Sequence, residues 1–327
     1  MKNILVIQTA FIGDVILSTP LIEKLHQAYP DCNIDFLLRK GNEDLLAGHP
    51  KIRHLYILDK KQHKIRNVIN ITRKLRKIKY DRVINLQRFF TTGMITLFLR
   101  ADFKAGFQKN PLSFAYNRKV PHEIGNGEHE ISRNLQVIED IVDNTRIRPS
   151  IHPSEYDNQK VEQYKHNKYI CIAPTSVWFT KQFPAEKWID MLGKLPEQLD
   201  VYLLGGPDDY DACQNIIQKS DHNQIFNLAG KLSLKQTASL MSDAAMNYVN
   251  DSAPLHLASA MNAPVTAVFC STVPRFGFFP LSEDSTIIET ETELPCRPCG
   301  LHGYDACPLG HFKCAHNINI DRLLPKS

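Results

Sequence analysis

The sequence predicts an α/β protein built of two doubly wound domains, each around a parallel sheet. Three observations carry that expectation. Short apolar runs of strand length alternate with segments of helical spacing, the alternation stops at a polar, proline-bearing stretch and then restarts, and 327 residues suit two domains of ordinary size. Hydrophobic residues make up 43% and charged residues 23% of the chain, the balance of a folded globular protein and not of a disordered or fibrous one.

"NILVIQ" opens the pattern as a buried strand. The run is short, stops at Gln8 and lacks a cleavage site of small residues, so it reads as a strand and not as a signal peptide. "VILSTPLIEKLHQAYP" follows as a helix, with Val15, Leu21, Ile22 and Leu25 on one side and Pro30 as its stop. "NIDFLL" is the next strand, and the β-α-β order implies a parallel pair with a right-handed crossover. "HLYIL" and "RVINLQ" are further strands, separated by the basic helical segment "IRNVINITRKLRKIKYD".

Residues 149–167, polar and carrying two prolines, are the best linker candidate. Beyond them "YICIAP", "DVYLLGG", "QIFNLAG", "AMNYVND" and "PVTAVFC" are strand-like, with helices such as "PAEKWIDMLGKL" and "LKQTASLMSDA" between them. The expected domains are 1–155 and 156–327, facing each other across a cleft with their strand C-terminal ends inward, where open α/β sheets bind ligands. No window holds about 18 uninterrupted apolar residues, so no membrane span is expected. A cytoplasmic protein able to work at a membrane surface is the resulting picture.

The net charge of +4 hides an asymmetry: through residue 150 there are 25 Lys and Arg against 15 Asp and Glu, and the remainder has 14 against 20. The first half should therefore attract anions. Nucleic acid is not the expected partner, since no DNA- or RNA-binding signature accompanies the charge. Lys64, Arg66, Arg73, Lys74, Arg76 and Lys77 are candidate contacts for an anionic partner, with a solvated helix surface as the equal alternative.

Candidate chemistry lies where strands end. Asp14 stands near the start of the helix that follows the first strand; it reads either as a first-turn acid favoured by the helix dipole or as a general base. "APTSVWFTKQFP" offers the hydroxyls of Thr175, Ser176 and Thr180 and the ammonium of Lys181 beside a helix that Pro184 opens, a combination suited to a diphosphate. "LLGGPDD" is a strand ending in a Gly-Gly turn. In "VNDSAPLHLASAM", Asp251 and Ser252 lie in the loop, and the helix beginning near Pro254 directs free N–H groups toward whatever occupies it. His256, in the first turn of that helix, reads more readily as a structural histidine than as a catalyst.

Taken in order, "FIGDVILSTPLIEKLHQAYP", "YDRVINLQ", "APTSVWFTKQFPAEKW", "LLGGPDD", "LAGKLSLKQTASLMSDA" and "NDSAPLHLASAMNAPV" resemble glycosyltransferase family 9, the lipopolysaccharide heptosyltransferases. The resemblance implies a GT-B architecture of two Rossmann-like domains, with the acceptor in the first and the nucleotide sugar in the second. It implies inverting transfer of a heptose from ADP-heptose to an anionic glycolipid acceptor at the inner face of the inner membrane, without a catalytic metal or cofactor. Asp14 then resembles the catalytic base, and Lys181, with Ser176 and Thr180, the phosphate-binding loop. Asp251, Ser252, Ala253 and His256 match the stretch that holds diphosphate and sugar, and Leu232 falls where the adenine pocket is lined. A ribose contact is expected at Asp208 or Asp209. Two positions depart from the family pattern: Ala253 and Thr175 stand where glycines are usual, changes that bear on the phosphate site and on which sugar fits.

The alternatives are transfer of a hexose or N-acetylhexosamine, or a nucleotide-sugar-binding protein without catalysis. A dehydrogenase is disfavoured, because no G-x-G-x-x-G follows either domain's first strand. Finally, Cys296, Cys299, Cys307 and Cys314 are spaced C-x2-C-x7-C-x6-C. Four thiolates so spaced can close a tetrahedral zinc site, but with a single C-x2-C pair the favoured reading is buried free thiols that pack the tail.

Overall fold

Runs of valine, isoleucine and leucine with few polar interruptions suit strands covered on both faces, and the computed structural model, which describes residues 1–324, uses them so. The first sheet contains β1 (Asn3–Ile7), β2 (Asn33–Arg39), β3 (Ile52–Leu58), β4 (Tyr80–Asn85), β5 (Ala101–Phe107) and β6 (Arg118–Val120). Its strand order is β3-β2-β1-β4-β5-β6, with every pairing parallel. The second contains β7 (Tyr169–Ala173), β8 (Asp200–Leu203), β9 (Ile225–Asn227), β10 (Asn247–Asn250), β11 (Val265–Phe269) and β12 (Ser285–Glu289). Its order, β12-β11-β10-β7-β8-β9, repeats the first, again all parallel. Both are the strand order of a dinucleotide-binding Rossmann sheet, in which ligands sit where the order reverses. That switch point lies between β1 and β4 in one sheet and between β7 and β10 in the other.

The chain divides into two compact units, Met1–Ile124 with Glu128–His152, and Gly125–Gly127 with everything from Pro153 onward. Each has its own core. Leu5, Ile7, Leu37, Leu75, Tyr80, Val83 and Ile95 are fully buried together in the first. Ile172, Phe183, Trp188, Met191, Leu203, Cys213 and Val268 are among those that fill the second. No helix among the described residues is long and apolar enough to cross a membrane.

Three features differ from the sequence expectation. The helix expected over residues 15–30 is two helices, Ile12–Ile16 and Thr19–Ala28. Pro20 cannot donate to the Ile16 carbonyl, so the Thr19 hydroxyl bonds that carbonyl instead at 2.8 Å, and the Ser18 hydroxyl takes the Val15 carbonyl at 2.7 Å. Within the expected linker, Glu155–Val161 is helical, started by a reciprocal cap between Ser154 and Asp157. Strands β5, β6 and β12 were not anticipated, being short or carrying charged residues among the apolar ones.

Candidate active site

In the first unit the chain leaves β1 through residues 8–10 and enters the helix Ile12–Ile16, which puts Asp14 in its first turn. Other strand ends hold this loop. Lys60, just beyond β3, donates to both the carbonyl and the hydroxyl of Thr9 at 2.8 Å, Asn42 donates to the Ala10 carbonyl at 3.0 Å, and Gln87, beyond β4, bonds Gln8. Sequence reasoning missed all three clamps, whose only signal was a polar residue just past a strand. Burial, with nearby Arg39 and Lys64 adding to it, brings the Lys60 ammonium down to about 8.

Asp14 is half-buried. Desolvation, with the Glu130 carboxylate adding to it, pushes its carboxyl up to about 6, against the opposing pull of the Phe11 backbone and Arg88. Glu130 stays ionised although burial opposes that, because His122 lies 3.0 Å and Arg133 2.8 Å from its oxygens. The result is a carboxylate of raised basicity at a sheet switch point, the property a general base requires near neutral pH.

The basic cluster divides. The helix Lys64–Leu75 runs from the end of β3 to the start of β4. Its first residues, Lys64 and Arg66, therefore lie toward the edge of the sheet that carries Asp14. Arg73, Lys74, Arg76 and Lys77 lie toward the opposite edge, a strand length of roughly 20 Å away, so the six candidate contacts fall into two groups.

In the second unit, Asn250 at the end of β10 ties the site together. Its amide donates to the carbonyls of Ala173 at 3.3 Å, Pro174 at 2.9 Å and Thr175 at 3.3 Å, and its carbonyl oxygen accepts from the Phe183 N–H at 2.8 Å. The loop after β7 is thereby fixed beside Asp251. Lys181 reaches Asp251 at 2.9 Å, and Asp251 also accepts from the Thr272 hydroxyl at 2.6 Å. Both charges lie largely under cover, with side-chain exposures of 16% and 8%, so the lysine is held in place with little conformational freedom left to lose on binding an anion. Ser252 precedes the helix Ala253–Met261 in extended conformation without capping it through its side chain. The first N–H groups of that helix thus lack a side-chain cap from Ser252. His256 is buried in the same helix, its ring 6.5 Å from that of Phe278, which agrees with a packed histidine.

Two expectations are refined. Thr180, read as a hydroxyl for phosphate, is 1% exposed and serves the loop instead: its hydroxyl accepts from the Tyr304 N–H at 2.8 Å and bonds the Ser271 hydroxyl at 3.1 Å, while its own N–H bonds the Tyr304 carbonyl at 3.0 Å. Thr175 and Ser176 remain half-buried in the same loop. The two ribose candidates stand in different surroundings. Asp209 accepts from the Gly206 N–H at 2.7 Å and caps its own turn, whereas Asp208 is exposed and makes no hydrogen bond or ion pair among the described residues. Gly230, at φ +74°, lies so close to Pro207 that a Cβ would sit 2.8 Å from its Cα, and Leu232, two residues further on, is half-buried.

Tyr304 belongs to the cysteine-rich segment, which folds back onto the Lys181 loop. The Cys299 N–H bonds the Ser271 carbonyl at 2.9 Å, and Gly303, at φ +82°, leaves no room for a Cβ against Thr180, Lys181 and Trp178. All eight cysteines are free thiols. Burial pushes Cys314 up to about 12 and raises Cys299. Burial also acts on Cys307, but the N–H groups of Phe312, Leu309, Gly310 and His311 hold it below its ordinary value. Cys296 lies 4.0 Å from His311.

Among the described residues, the acidic, thiol and imidazole groups close enough to share an ion are Glu23, His49 and His152. The Lys51 ammonium already occupies the Glu23 carboxylate, and the Lys51 N–H donates to His49 Nδ1 at 3.2 Å, which places the neutral ring's proton on Nε2. A hydrogen-bonded ionic cluster fits that arrangement better than a metal site, whose histidines donate from the nitrogen that is not ligated. His152, with Lys51 and in spite of burial, holds Glu23 at about 2.

Comparison with known proteins agrees with this arrangement. Residues 68–302 match the family model described as glycosyltransferase family 9 (heptosyltransferase). A lipopolysaccharide heptosyltransferase 3 of Escherichia coli is 30% identical over 283 residues, 80% of this chain and 82% of that protein. In three dimensions the chain is similar to an E. coli ADP-heptose lipopolysaccharide heptosyltransferase II, with a TM-score of 0.79 and 22% identity over 97% of this chain and 98% of that one. It is also similar to an E. coli heptosyltransferase solved with ADP, with a TM-score of 0.73 and 18% identity over 87% and 92% of the two chains. The repeated Rossmann order is thus that of the GT-B transferases, and with the family model spanning most of its length the chain belongs to glycosyltransferase family 9.

Proposed function

We propose that the protein transfers a heptose from ADP-heptose to an anionic acceptor of the lipopolysaccharide core, with inversion and in a single displacement. An acceptor hydroxyl attacks the anomeric carbon, Asp14 takes the hydroxyl proton, and the bond from that carbon to the diphosphate breaks with its electron pair leaving on ADP. Lys181 and the N–H groups that open the helix Ala253–Met261 meet the charge that grows on the departing diphosphate. These groups fill the place a cation would otherwise take, so no step is assigned to a metal. Asp251 holds Lys181 until the donor arrives and then faces the sugar hydroxyls, with Thr175, Ser176 and Ser252 around the phosphates, Ala253 and His256 in the helix behind them, Leu232 against the adenine and Asp208 on the ribose.

The observation that carries this reading is the placement of the Asp14 carboxyl in the first turn of the helix after β1, at the switch point of the first sheet, where burial raises its basicity. Arg88, whose charge acts on Asp14, and Lys60, which holds Thr9 in the loop before it, suit an acceptor bearing phosphates or acid sugars, presented at the inner face of the inner membrane. Transfer assays on Asp14→Asn and Lys181→Ala test the assignment. Asp14→Asn should lower turnover by about 100-fold or more while ADP still binds normally. Lys181→Ala should weaken ADP roughly 10- to 100-fold, the range of a lost charged hydrogen bond. Near-normal turnover in the first variant, or an unchanged ADP affinity in the second, would remove that residue from the mechanism. The configuration of the new linkage, read by NMR, tests inversion, and full activity after chelation tests independence of metal.

A further inference from the structure

At the edge of the first sheet opposite Asp14, an open groove of about 470 Å³ is lined by Arg73, Arg76, Lys77 and Arg100. Three of the four come from the last turn of one helix and the residues just after it, where positive charge also complements the helix dipole. Arg100 has no such reason to be there: it precedes β5 and comes from a different part of the chain. None of the four is joined to a carboxylate among the described residues, and the adjacent Asp102 is taken up by Lys79 at 2.9 Å. Like charges gathered without counter-charge repel one another unless an anion joins them.

An exposed apolar row runs along the same helix toward the groove from its far end. Ile65, Ile69, Arg73 and Arg76 follow one another at helical spacing on the face turned away from buried Ile71 and Leu75. Ile65 is 78% and Ile69 44% exposed, and Phe98, two residues before Arg100, is 49% exposed. Water-facing isoleucines leading along a helix into a cationic groove form the pattern of a surface that lies on an anionic bilayer, apolar residues in the headgroup layer and cations on the lipid phosphates.

We infer that this groove is a second anion site, separate from the acceptor site at Asp14, and that it binds the headgroup phosphates of anionic membrane lipids. The inference deepens the membrane contact of the proposed function by assigning it a face, and it stands apart from the transfer chemistry. A soluble phosphate would find the same cations, but the exposed isoleucines and phenylalanine give it nothing, and they favour the lipid surface.

The test is sedimentation of the full chain with phosphatidylcholine vesicles that contain or lack phosphatidylglycerol, for the wild type, Arg76→Gln/Arg100→Gln and Ile65→Ser/Ile69→Ser. At about fivefold per surface cation, the double charge variant should bind the anionic vesicles about 25-fold more weakly, and the isoleucine variant should also bind them more weakly. Arg76→Lys/Arg100→Lys keeps the charge and should retain binding, which separates charge loss from misfolding. Transfer to a soluble, lipid-free acceptor should be unchanged in Arg76→Gln/Arg100→Gln. Equal sedimentation of wild type and charge variant overturns the inference, as does saturation of the groove by millimolar inorganic phosphate without any preference for anionic vesicles. A loss of activity on the soluble acceptor equal to the loss on membranes would instead assign the groove to the acceptor and also overturn it. Failure on any of these counts leaves the roles of Asp14 and Lys181 untouched.

Discussion

Asp14→Asn should make the protein more stable as well as inactive. Moving a carboxyl from its ordinary 3.8 to about 6 corresponds to about 3 kcal/mol of penalty on the ionised form. Asp14 keeps partial contact with solvent, which reduces the expected figure to about 2 kcal/mol. The sign follows from proton binding. The folded chain holds the Asp14 proton more tightly than the unfolded chain, so stability falls as the pH rises from about 4 through about 6 and stays lower above it. Asparagine has no charge to desolvate and escapes that loss. For a unit of this size about 2 kcal/mol corresponds to about 4–8 °C in melting temperature, and calorimetry of both proteins at pH 7.5 and pH 4 measures it. The gap should be present at pH 7.5 and closed or much reduced at pH 4. In the wild type, kcat/KM for transfer should fall about tenfold per pH unit below about 6, whereas an ordinary carboxylate would hold activity to about pH 4. A variant that melts below the wild type at pH 7.5, together with a rate profile flat down to pH 5, would refute the reasoning.

The remaining predictions concern the second unit. Asp208→Asn should weaken ADP by roughly tenfold with little change in melting temperature, whereas Asp209→Ala should cost about 1 kcal/mol of stability through the lost cap; calorimetric titration with ADP and thermal melts separate the two, and the reverse pattern would exchange their roles. Gly303→Ala places a methyl 2.9 Å from the Thr180 hydroxyl and 3.1 Å from Cγ of Lys181, at a backbone angle of +82°. It should therefore cost about 1–2 kcal/mol and weaken ADP several-fold although residue 303 carries no chemistry; unchanged ADP affinity would show that the segment does not hold the lysine.

Much of the architecture was legible because it is written locally. Strands such as "YICIA" are continuous apolar runs, and "LKQTASLMS" carries its own start signal in Ser233 and Gln236. Pro20 is just as visible, yet helical spacing continues across it, and the Thr19 and Ser18 bonds that divide the segment into two helices appear only in the folded backbone. The positions of the candidate residues were legible where local signals set them, Asp14 at the opening of the helix after β1 and Asp251 directly after β10. A role was not legible where it depends on distant partners. Nothing near Thr180 announces that Ser271 and Tyr304 will occupy its hydroxyl, and nothing within "PDD" says which aspartate turns back on Gly206. The basic helix showed its charge in the sequence, and the two sheet edges to which that charge is delivered follow from its place between the end of β3 and the start of β4.

The fastening of Thr180 sets an order on biosynthesis. Its two partners arrive 91 and 124 residues after it, so a ribosome has finished most of the second unit before the Lys181 loop can close. A nascent chain halted ahead of residue 304 carries Lys181 on an unfastened strap. The fixed form of that loop is therefore among the last features the polypeptide acquires, long after its leading half has been free to fold around Asp14.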